Sequence, residues 1–362
     1  MTRWPDTRIS DLLRIEHPLI QAPMAGAQTA PLAIAAARAG ALGALPCAML
    51  SAAQIRAELA AFRAALPTAP LNLNFFCHTP PHDADAALAR WQARLAPYYA
   101  EFGISTDAQV SSANRQPFDD AACALVEDLQ PGVVSFHFGL PDAALLARVQ
   151  ASGAKVLASA TTVAEGRWLA ARGVDAIIAQ GSEAGGHRGL FLSDDVATQP
   201  GLFALLPQLV DAVDVPVIAA GGIGDARGIA AAFALGAAAV QIGTAYLYTP
   251  ETRIAALHRD ALAAARDDNT ALTNVFSGRP ARGLMNRVMR ELGPLSADAP
   301  PFPLAGTALA PLRAATEAGG SGDFQSLWAG QAAALSRTLA RGLDAEALTR
   351  ALIDGALQRI GI

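Results

Sequence analysis

Lysine is nearly missing from this sequence, because only one of its 27 basic residues, Lys155, is a lysine. A P-loop needs a lysine after its glycine-rich turn and Schiff-base catalysis needs one in the pocket, so neither chemistry has a candidate. Lys155 stands at the start of an apolar run, and the start of a parallel strand serves stability rather than catalysis. The 27 basic residues face 32 acidic ones without forming a patch, so we expect no nucleic-acid partner.

Cysteine and long apolar stretches are also scarce. Cys47, Cys77 and Cys123 show no CxxC spacing, which argues against a zinc site and a disulfide framework. His78 and His82 lie close to Cys77, but two prolines between them break any helical spacing, so we predict no metal and interpret both as solvated loop histidines. No run of 18 apolar residues and no signal-peptide h-region occurs. We therefore expect a cytoplasmic protein without a membrane partner.

The sequence does contain ample apolar material in a regular rhythm. Its 362 residues are 52% hydrophobic and 16% charged, which suits a large core and excludes a mainly disordered chain. Short apolar runs alternate with alanine-rich stretches of helical period, the pattern of repeated βα units. Eight such runs predict an α/β fold, a closed (β/α)8 TIM barrel whose strands are buried on both faces. The runs span residues 18–24, 41–46, 71–76, 133–138, 155–161, 176–181, 216–222 and 239–247.

Two segments interrupt the alternation and define the predicted domain organisation. Residues 77–130 separate the third and fourth runs, which is too long for one crossover helix, so we expect a helical insertion there. Apolar runs stop after Thr249, so we predict no strands beyond it. We therefore predict a barrel over residues 1–250 and a mainly helical accessory region over 251–362 that closes the active site. An open doubly wound sheet is the alternative fold, disfavoured because no GxGxxG opens the first βα turn.

Two of the predicted strand ends are rich in glycine. The carboxyl ends of parallel strands meet at one edge of a barrel, which is where active sites of this fold lie. Glycine lets backbone amides approach an anion, and a helix N-terminus adds a favourable dipole, so these two ends together predict a phosphate site. Two ordinary tight turns are the plainer interpretation. The residues concerned are Gly221 and Gly222 after the seventh run and Gln241, Ile242, Gly243 and Thr244 in the eighth.

Two histidines lie at other strand ends. His187 follows two glycines in the loop after the sixth run, where an imidazole with a pKa of roughly 6.5 could serve as a base or a hydrogen-bond donor. His137 belongs to the end of the fourth run. Glu183 precedes His187 by four residues, but the glycines between them argue against a helix that would pair the two. Trp328 is interpreted either as a core residue or as part of a pocket wall.

Five motifs in this order resemble the nitronate monooxygenase family, formerly the 2-nitropropane dioxygenases, and in particular its class I members. The resemblance covers essentially the whole chain. It implies FMN bound noncovalently at the barrel mouth, in an enzyme that oxidises alkyl nitronates such as propionate 3-nitronate with O2 to a carbonyl compound and nitrite. The motifs are QAPMAG at 21–26, NLNFF at 72–76, QGSEAGGHRG at 180–189, AAGGIG at 219–224 and QIGT at 241–244, extended by SGRPARG at 277–283 and SLWAGQ at 326–331.

The resemblance also implies roles for single residues. His187 matches the family's active-site histidine, which removes the α proton of a neutral nitroalkane or, when protonated, holds the anionic nitronate. His137 resembles a second histidine on the substrate side. Phe302 departs from the family, where tyrosines are frequent in this segment, so we expect a preference for small or apolar nitronates. The implied cofactor contacts are Pro23 and Met24 beside the flavin ring, Asn74, Gln180 and Gly185 at the flavin, and Gly221, Gly222, Gln241, Ile242, Gly243 and Thr244 toward the phosphate.

Three other functions stay open at this point. The nearest is an FMN-dependent NAD(P)H reductase of quinones or enoyl thioesters on the same barrel. A phosphate-binding isomerase or lyase without flavin would keep the glycine loops but give the neutral amides of Asn74 and Gln180 no purpose. A non-enzymatic binding protein is disfavoured because many polar residues converge at one barrel face. The sequence leaves the oligomeric state open between monomer and homodimer.

Overall fold

The computed structural model describes residues 4–82, 84–105 and 115–361. Its strands are short, and eight of them lie within a predicted apolar run. In chain order the strands are β1 (Leu19–Gln21), β2 (Gly43–Pro46), β3 (Leu71–Phe76), β4 (Val133–His137), β5 (Lys155–Ala160), β6 (Ala176–Gln180), β7 (Gly186–His187), β8 (Val217–Ala220), β9 (Ala239–Ile242), β10 (Thr270–Thr273) and β11 (Ala281–Leu284).

Eight parallel strands among the described residues form a barrel. They pair in the order β1-β9-β8-β6-β5-β4-β3-β2. A parallel bridge between Ile20 and Leu42 joins β1 to β2, and the Gln21 N–H donates to the Leu42 carbonyl at 2.9 Å. The predicted (β/α)8 TIM barrel is therefore confirmed. All carboxyl ends of these strands face the same side, which we call the mouth.

Helices surround the barrel and continue beyond it. No helix among the described residues has both the length and the apolar character needed to cross a membrane. Short 3-10 helices span Cys47–Met49, Val196–Thr198 and Thr244–Tyr248. The α-helices are α1 (Arg8–Leu13), α2 (Ala30–Arg38), α3 (Ala52–Ala65), α4 (Asp85–Glu101), α5 (Asp120–Leu129), α6 (Ala143–Ala151), α7 (Val163–Ala170), α8 (Leu202–Val210), α9 (Ala226–Ala234), α10 (Ala256–Ala263), α11 (Arg287–Leu292), α12 (Ala305–Ala318), α13 (Ala333–Ala340) and α14 (Ala345–Ile360).

Helix α1 seals the end of the barrel opposite the mouth. Its buried residues Ile9 and Leu13 pack with Ile20, Leu42 and Leu157 from the barrel strands in one apolar cluster. Burying such side chains stabilises a fold by roughly 1.5–3 kcal/mol each. Because this end is filled with apolar side chains, a ligand can reach the barrel only through the mouth.

A second, antiparallel sheet stands beside the mouth. It has the order β10-β11-β7, so the prediction that strands end after Thr249 is wrong. The reason lies in the sequence: β10 reads TALT and β11 reads ARGL, and four residues are too few for a recognisable alternation of apolar and polar positions. This sheet ties the C-terminal part of the chain to the loop that follows β6.

The insertion and the C-terminal region share a small core of their own. Trp91 and Tyr99 of α4 are buried against α12. The Trp91 indole N–H donates to the Ala305 carbonyl at 3.1 Å, and the Tyr99 hydroxyl donates to the Ala308 carbonyl. These two hydrogen bonds satisfy the polar atoms of both aromatic rings, which would otherwise be costly to bury.

Candidate active site

His187 lies at the mouth as the second residue of β7, where it pairs with Ala281 of β11. Its Nε2 is 2.9 Å from the Ser277 hydroxyl oxygen. Aromatic rings flank the imidazole: the ring centroids of Phe302 and Trp328 are 5.4 and 5.5 Å from its own. Within the described chain Nδ1 has no hydrogen-bond partner. The ring is thus held at Nε2 and packed on its faces, with Nδ1 left for a substrate.

The electrostatic surroundings keep the His187 imidazole neutral. Burial lowers the pKa of His187 well below its usual range, and the nearby positive charges of Arg115, Arg279 and Arg188 lower it further. A neutral imidazole has one ring nitrogen that donates and one that accepts. Ser277 can serve either arrangement, because its hydroxyl can donate to Nε2 or accept from it.

His137, at the end of β4, uses both ring nitrogens to hold its neighbours. Its Nε2 is 3.2 Å from the His187 carbonyl oxygen, and since a carbonyl only accepts, Nε2 carries the proton. Nδ1 then accepts from the Ser159 hydroxyl at 3.0 Å. Burial lowers the pKa of His137 to about 3, so this ring is neutral as well. Neither ring nitrogen is left for a substrate.

Gln180 and Asn74 both present amide groups at strand ends, as expected from their positions. The Gln180 Nε2 donates to the His187 carbonyl at 2.9 Å, and its Oε1 accepts from the Gly189 N–H at 2.8 Å. Gln180 therefore fixes the backbone on both sides of Arg188. The Asn74 Nδ2 donates to the Ser135 hydroxyl at 2.9 Å, which leaves the Asn74 Oδ1 without a partner among the described residues.

The two glycine-rich ends come together at the mouth with free backbone donors. Gly221 and Gly222 have φ of +110° and +68°, a conformation that residues with a side chain rarely adopt. Within the described chain the N–H groups of Gly222, Gly243 and Thr244 have no acceptor. The Asp225 side chain accepts from its own helix as the N-cap of α9, so it leaves these donors to a ligand.

Gln241 points a polar group into the same region. Its Oε1 is buried and has no hydrogen-bond partner among the described residues. A buried acceptor without a partner costs roughly 1–3 kcal/mol, so a donor from a bound molecule would remove that cost. Ile242, next in β9, is 1% exposed and belongs to the core, where only its backbone is available for contacts.

The first loop of the barrel lies beside these glycines. The Gln28 Oε1 accepts from the Met24 N–H at 2.9 Å, which fixes the turn that contains Pro23. A Cβ at Gly243 would lie 3.6 Å from the Met24 sulfur. The structure thus brings Pro23 and Met24 of the first strand end close to the eighth, although they are far apart in sequence.

Gly185 lies where the C-terminal loop 326–331 covers the mouth. A Cβ at Gly185 would lie 2.6 Å from the Gly330 nitrogen, so only glycine allows this approach. The Gly330 N–H donates to the Thr244 hydroxyl at 2.9 Å. Glu183 accepts from the Leu202 N–H at 2.9 Å with each oxygen and so caps α8.

A cavity of about 470 Å³ adjoins this site and is lined by His78 and Arg115, with Asp85 as its acidic residue. His78 is 5% exposed, so its interpretation as a solvated histidine is wrong; the Phe302 ring, 4.8 Å away, covers it. Arg115 lies 5.6 Å from the Phe302 centroid. Sequence reasoning missed Arg115, because a single arginine in a loop carries no signal.

The described residues contain no group of three or more histidines, cysteines and acidic residues arranged to hold a metal ion. The polar groups at the mouth are instead neutral amides, backbone N–H groups and arginines. Such a set suits a ligand that combines an anionic group with several donors and acceptors, as a nucleotide cofactor does.

Comparison with known proteins identifies the family. Residues 6–352 match the family model for nitronate monooxygenase. A nitronate monooxygenase of Paraburkholderia phytofirmans is 44% identical over 332 residues, covering 91% of this chain and 90% of the relative. One of Pseudomonas aeruginosa is 41% identical over 350 residues, covering 96% of this chain and 98% of the relative.

The chain belongs to the nitronate monooxygenase family. It is therefore an oxidoreductase, as the motifs at the strand ends predicted. A solved structure, a nitroalkane oxidase from Streptomyces ansochromogenes, is similar in fold, with a TM-score of 0.86 and 37% identity over 97% of this chain and 98% of the other.

The reductase alternative is not favoured. FabK from Thermotoga maritima shares the fold with a TM-score of 0.71, but its identity of 24% over 99% of this chain and 98% of the other supports the architecture alone. The nitronate monooxygenase relatives are far more similar in sequence.

Proposed function

We propose that this enzyme oxidises alkyl nitronates with O2 to a carbonyl compound and nitrite, with FMN bound at the mouth. The observation that carries the proposal is the His187 ring, held by Ser277 with Nδ1 free, in an aromatic pocket next to unpartnered backbone donors. The relatives named nitronate monooxygenase and nitroalkane oxidase support the same chemistry.

The residues at the mouth fit FMN. The N–H groups of Gly222, Gly243 and Thr244 would hold its phosphate, with the positive end of α9 behind them. The buried Gln241 Oε1 lacks a donor, which a hydroxyl or ring N–H of the cofactor would supply. The free Asn74 Oδ1 is a second acceptor. Gln180, Gly185, Gly221 and Ile242 would line the cofactor, and Pro23 and Met24 would flank its ring.

His187 would handle the proton of the substrate. When bound, FMN supplies the redox chemistry by taking electrons from the nitronate and passing them to O2. With the Nε2 proton donated to Ser277, the bare Nδ1 can remove the α proton of a neutral nitroalkane. With the Ser277 hydroxyl donating to Nε2, the proton sits on Nδ1 and can be donated to an oxygen of an anionic nitronate.

His137 and Gln180 would position His187 rather than touch the substrate. Both donate to the His187 carbonyl oxygen, at 3.2 and 2.9 Å. Since both ring nitrogens of His137 are engaged, we assign it a positioning role in place of the direct contact expected from the resemblance. Catalytic geometry is sensitive to small displacements, so it matters that the backbone of a base is held in position to within a few tenths of an ångström.

Arg115 favours a nitronate that carries a second negative charge. Burial lowers the pKa of Arg115, and no acidic group among the described residues acts to raise it, although Asp85 lines the same cavity. A partly buried cation that has no counter-ion among the described residues is costly, so an anionic group in the cavity would stabilise it. The preference for small or apolar nitronates expected from Phe302 is thereby outweighed. We propose a carboxylate-bearing substrate such as propionate 3-nitronate.

The activity can be tested directly. We expect purified enzyme to show the visible spectrum of a flavin and to release nitrite from propionate 3-nitronate in air without NAD(P)H. His187→Asn should lower kcat/KM by about 10²–10⁴ for a neutral nitroalkane, the usual contribution of a general base. A flavoprotein that oxidises NADH with a quinone and releases no nitrite would contradict the proposal.

The role of Arg115 has its own test. Arg115→Gln should raise KM for propionate 3-nitronate by about 10–100-fold, since a hydrogen bond to a charged group contributes roughly 1.5–3 kcal/mol. KM for ethyl nitronate should stay unchanged. The matched control is Arg94→Gln, an exposed arginine 3.9 Å from Asp298. Equal effects of Arg115→Gln on both substrates would refute the carboxylate site.

A further inference from the structure

Arg188, next to His187, is a buried cation with an unusual set of partners. It is 0% exposed, and none of the ion pairs of the described residues includes it. Its guanidinium instead donates to backbone carbonyls of the preceding loop. The accepting carbonyls are those of Gly181 at 3.3 Å, Ser182 at 3.2 Å, Ala184, Gly185 at 3.2 Å and Gly186 at 2.9 Å.

This arrangement fixes the direction of the loop's peptide groups. In a planar trans peptide the C=O and N–H point in opposite directions. The carbonyls of Ser182 and Ala184 face the guanidinium, so the N–H groups of Glu183 and Gly185 point away from it. Neither N–H has an acceptor within the described chain. Arg282 supports the same geometry from β11, because its Nε donates to the Ser182 carbonyl at 2.9 Å.

We propose that Arg188 is a positioning residue that organises residues 181–187, so that the Gly185 N–H meets the bound cofactor and the His187 ring faces the substrate. This role rests on the proposed FMN-dependent function. A buried charge is tolerated only when it is well hydrogen-bonded, and here the loop itself provides the acceptors for both terminal nitrogens, while Nε has no partner among the described residues. The loop and the cation therefore hold each other in place.

The first test measures the loop without the cofactor. Arg188→Lys keeps the charge but offers three donors on a flexible stem in place of a rigid fork of five. Hydrogen exchange of the apoprotein should speed up by about tenfold or more in peptides covering 181–187, while β8 stays protected. The control is Arg172→Lys, an exposed arginine that donates to the Trp168 carbonyl at 3.1 Å. Unchanged exchange in the loop, or equal acceleration throughout, would overturn the proposal.

The second test measures FMN affinity by titrating the apoprotein and following flavin fluorescence. Arg188→Lys should raise the Kd by about tenfold or more, which corresponds to roughly 1.4 kcal/mol, and Arg172→Lys should leave it unchanged. In Arg188→Ala, added guanidinium should restore the affinity, whereas tetramethylammonium at the same concentration should not. An unaltered Kd in Arg188→Lys overturns the proposal.

The two tests separate this inference from the proposed function. Wild-type apoprotein that fails to bind FMN would overturn the cofactor assignment. In that case the hydrogen-exchange result still decides whether Arg188 orders the loop.

Discussion

At the scale of single residues, the proton chemistry proposed for His187 depends on the Ser277 hydroxyl. That hydroxyl has two acceptors within reach, His187 Nε2 at 2.9 Å and the Arg279 carbonyl at 3.2 Å. When its proton turns to Arg279, Nε2 must carry a proton and Nδ1 is a base. The direction of this hydroxyl thus decides which form of the imidazole is stabilised, and the exchange itself also needs a proton to move from one ring nitrogen to the other.

Removing the hydroxyl should therefore weaken catalysis without abolishing it. We expect Ser277→Ala to lower kcat/KM by about 3–10-fold, since a hydrogen bond contributes roughly 0.5–1.5 kcal/mol. Steady-state nitrite release with nitroethane and with ethyl nitronate measures this. Ser152→Ala is the control, because the Ser152 hydroxyl donates to the Val149 carbonyl at 2.7 Å at the C-terminal end of α6. Wild-type kinetics in Ser277→Ala would contradict the assignment.

Some residues of the site could be predicted from the sequence and others could not. His187 and Gln180 stand out because they border glycines at a strand end, which the barrel brings to the mouth. Arg188 and Arg115 give no such signal. The partners of Arg188 are backbone carbonyls, which every residue possesses. The proposed role of Arg115 depends on its having no counter-ion among the described residues, which only the folded structure reveals.

At the scale of elements, the C-terminal loop 326–331 closes over the strand ends through glycines. Gly330 donates to the Thr244 hydroxyl, and the Gln331 N–H donates to the Glu183 carbonyl at 3.0 Å. A side chain at Gly185 would separate these two segments. The loop and the proposed phosphate site are therefore coupled.

Gly185→Ala tests that coupling. The new Cβ would lie 2.6 Å from the Gly330 nitrogen and 2.7 Å from the Ala329 carbonyl carbon, so backbone must move. We expect FMN affinity to fall by about tenfold or more, as for the loss of one or two hydrogen bonds. Gly319→Ala is the control, since its Cβ would meet nothing closer than 3.5 Å. An equal Kd for both variants would show that the loops move independently.

The barrel strands were predictable and the second sheet was not, for a physical reason. Strands buried on both faces must be apolar throughout, so they appear as continuous runs. Strands β7 and β11 instead contain glycine, histidine and arginine, because their side chains serve the site. The predicted extent of the barrel domain and of the insertion remains a prediction.

At the scale of the whole molecule, histidines make stability depend on pH. Burial lowers the pKa of His78 and of His258 to about 4 and that of His137 to about 3. In the unfolded chain a histidine titrates near roughly 6.5. Below that pH the unfolded chain binds more protons than the folded protein. Stability is therefore fully present above about pH 6.5 and falls as the pH drops toward 4.

His258→Gln should isolate the contribution of one histidine to this pH dependence of stability. The His258 Nε2 donates to the Trp328 carbonyl at 3.1 Å, and a glutamine amide can keep a donor there. Between about pH 6.5 and 4, the free energy of unfolding should fall less steeply in the variant, by up to roughly 1.4 kcal/mol per pH unit. Above pH 6.5 the difference between the two proteins should be constant. The free energy of unfolding can be measured by urea unfolding at each pH. If it fell with the same slope in both proteins below pH 6.5, this prediction would be contradicted.

The pairing of β7 with β11 has a consequence for protein synthesis. Translation delivers residues in chain order, so a growing chain that has emerged to residue 250 already holds all eight barrel strands. In that growing chain His187 lacks its partner strand β11 and the Ser277 hydroxyl. Trp328, whose ring flanks the imidazole, is synthesised later still. The ribosome thus completes the scaffold first and the proposed reactive centre last, and an unfinished polypeptide has a barrel in which the proposed base still lacks its partners.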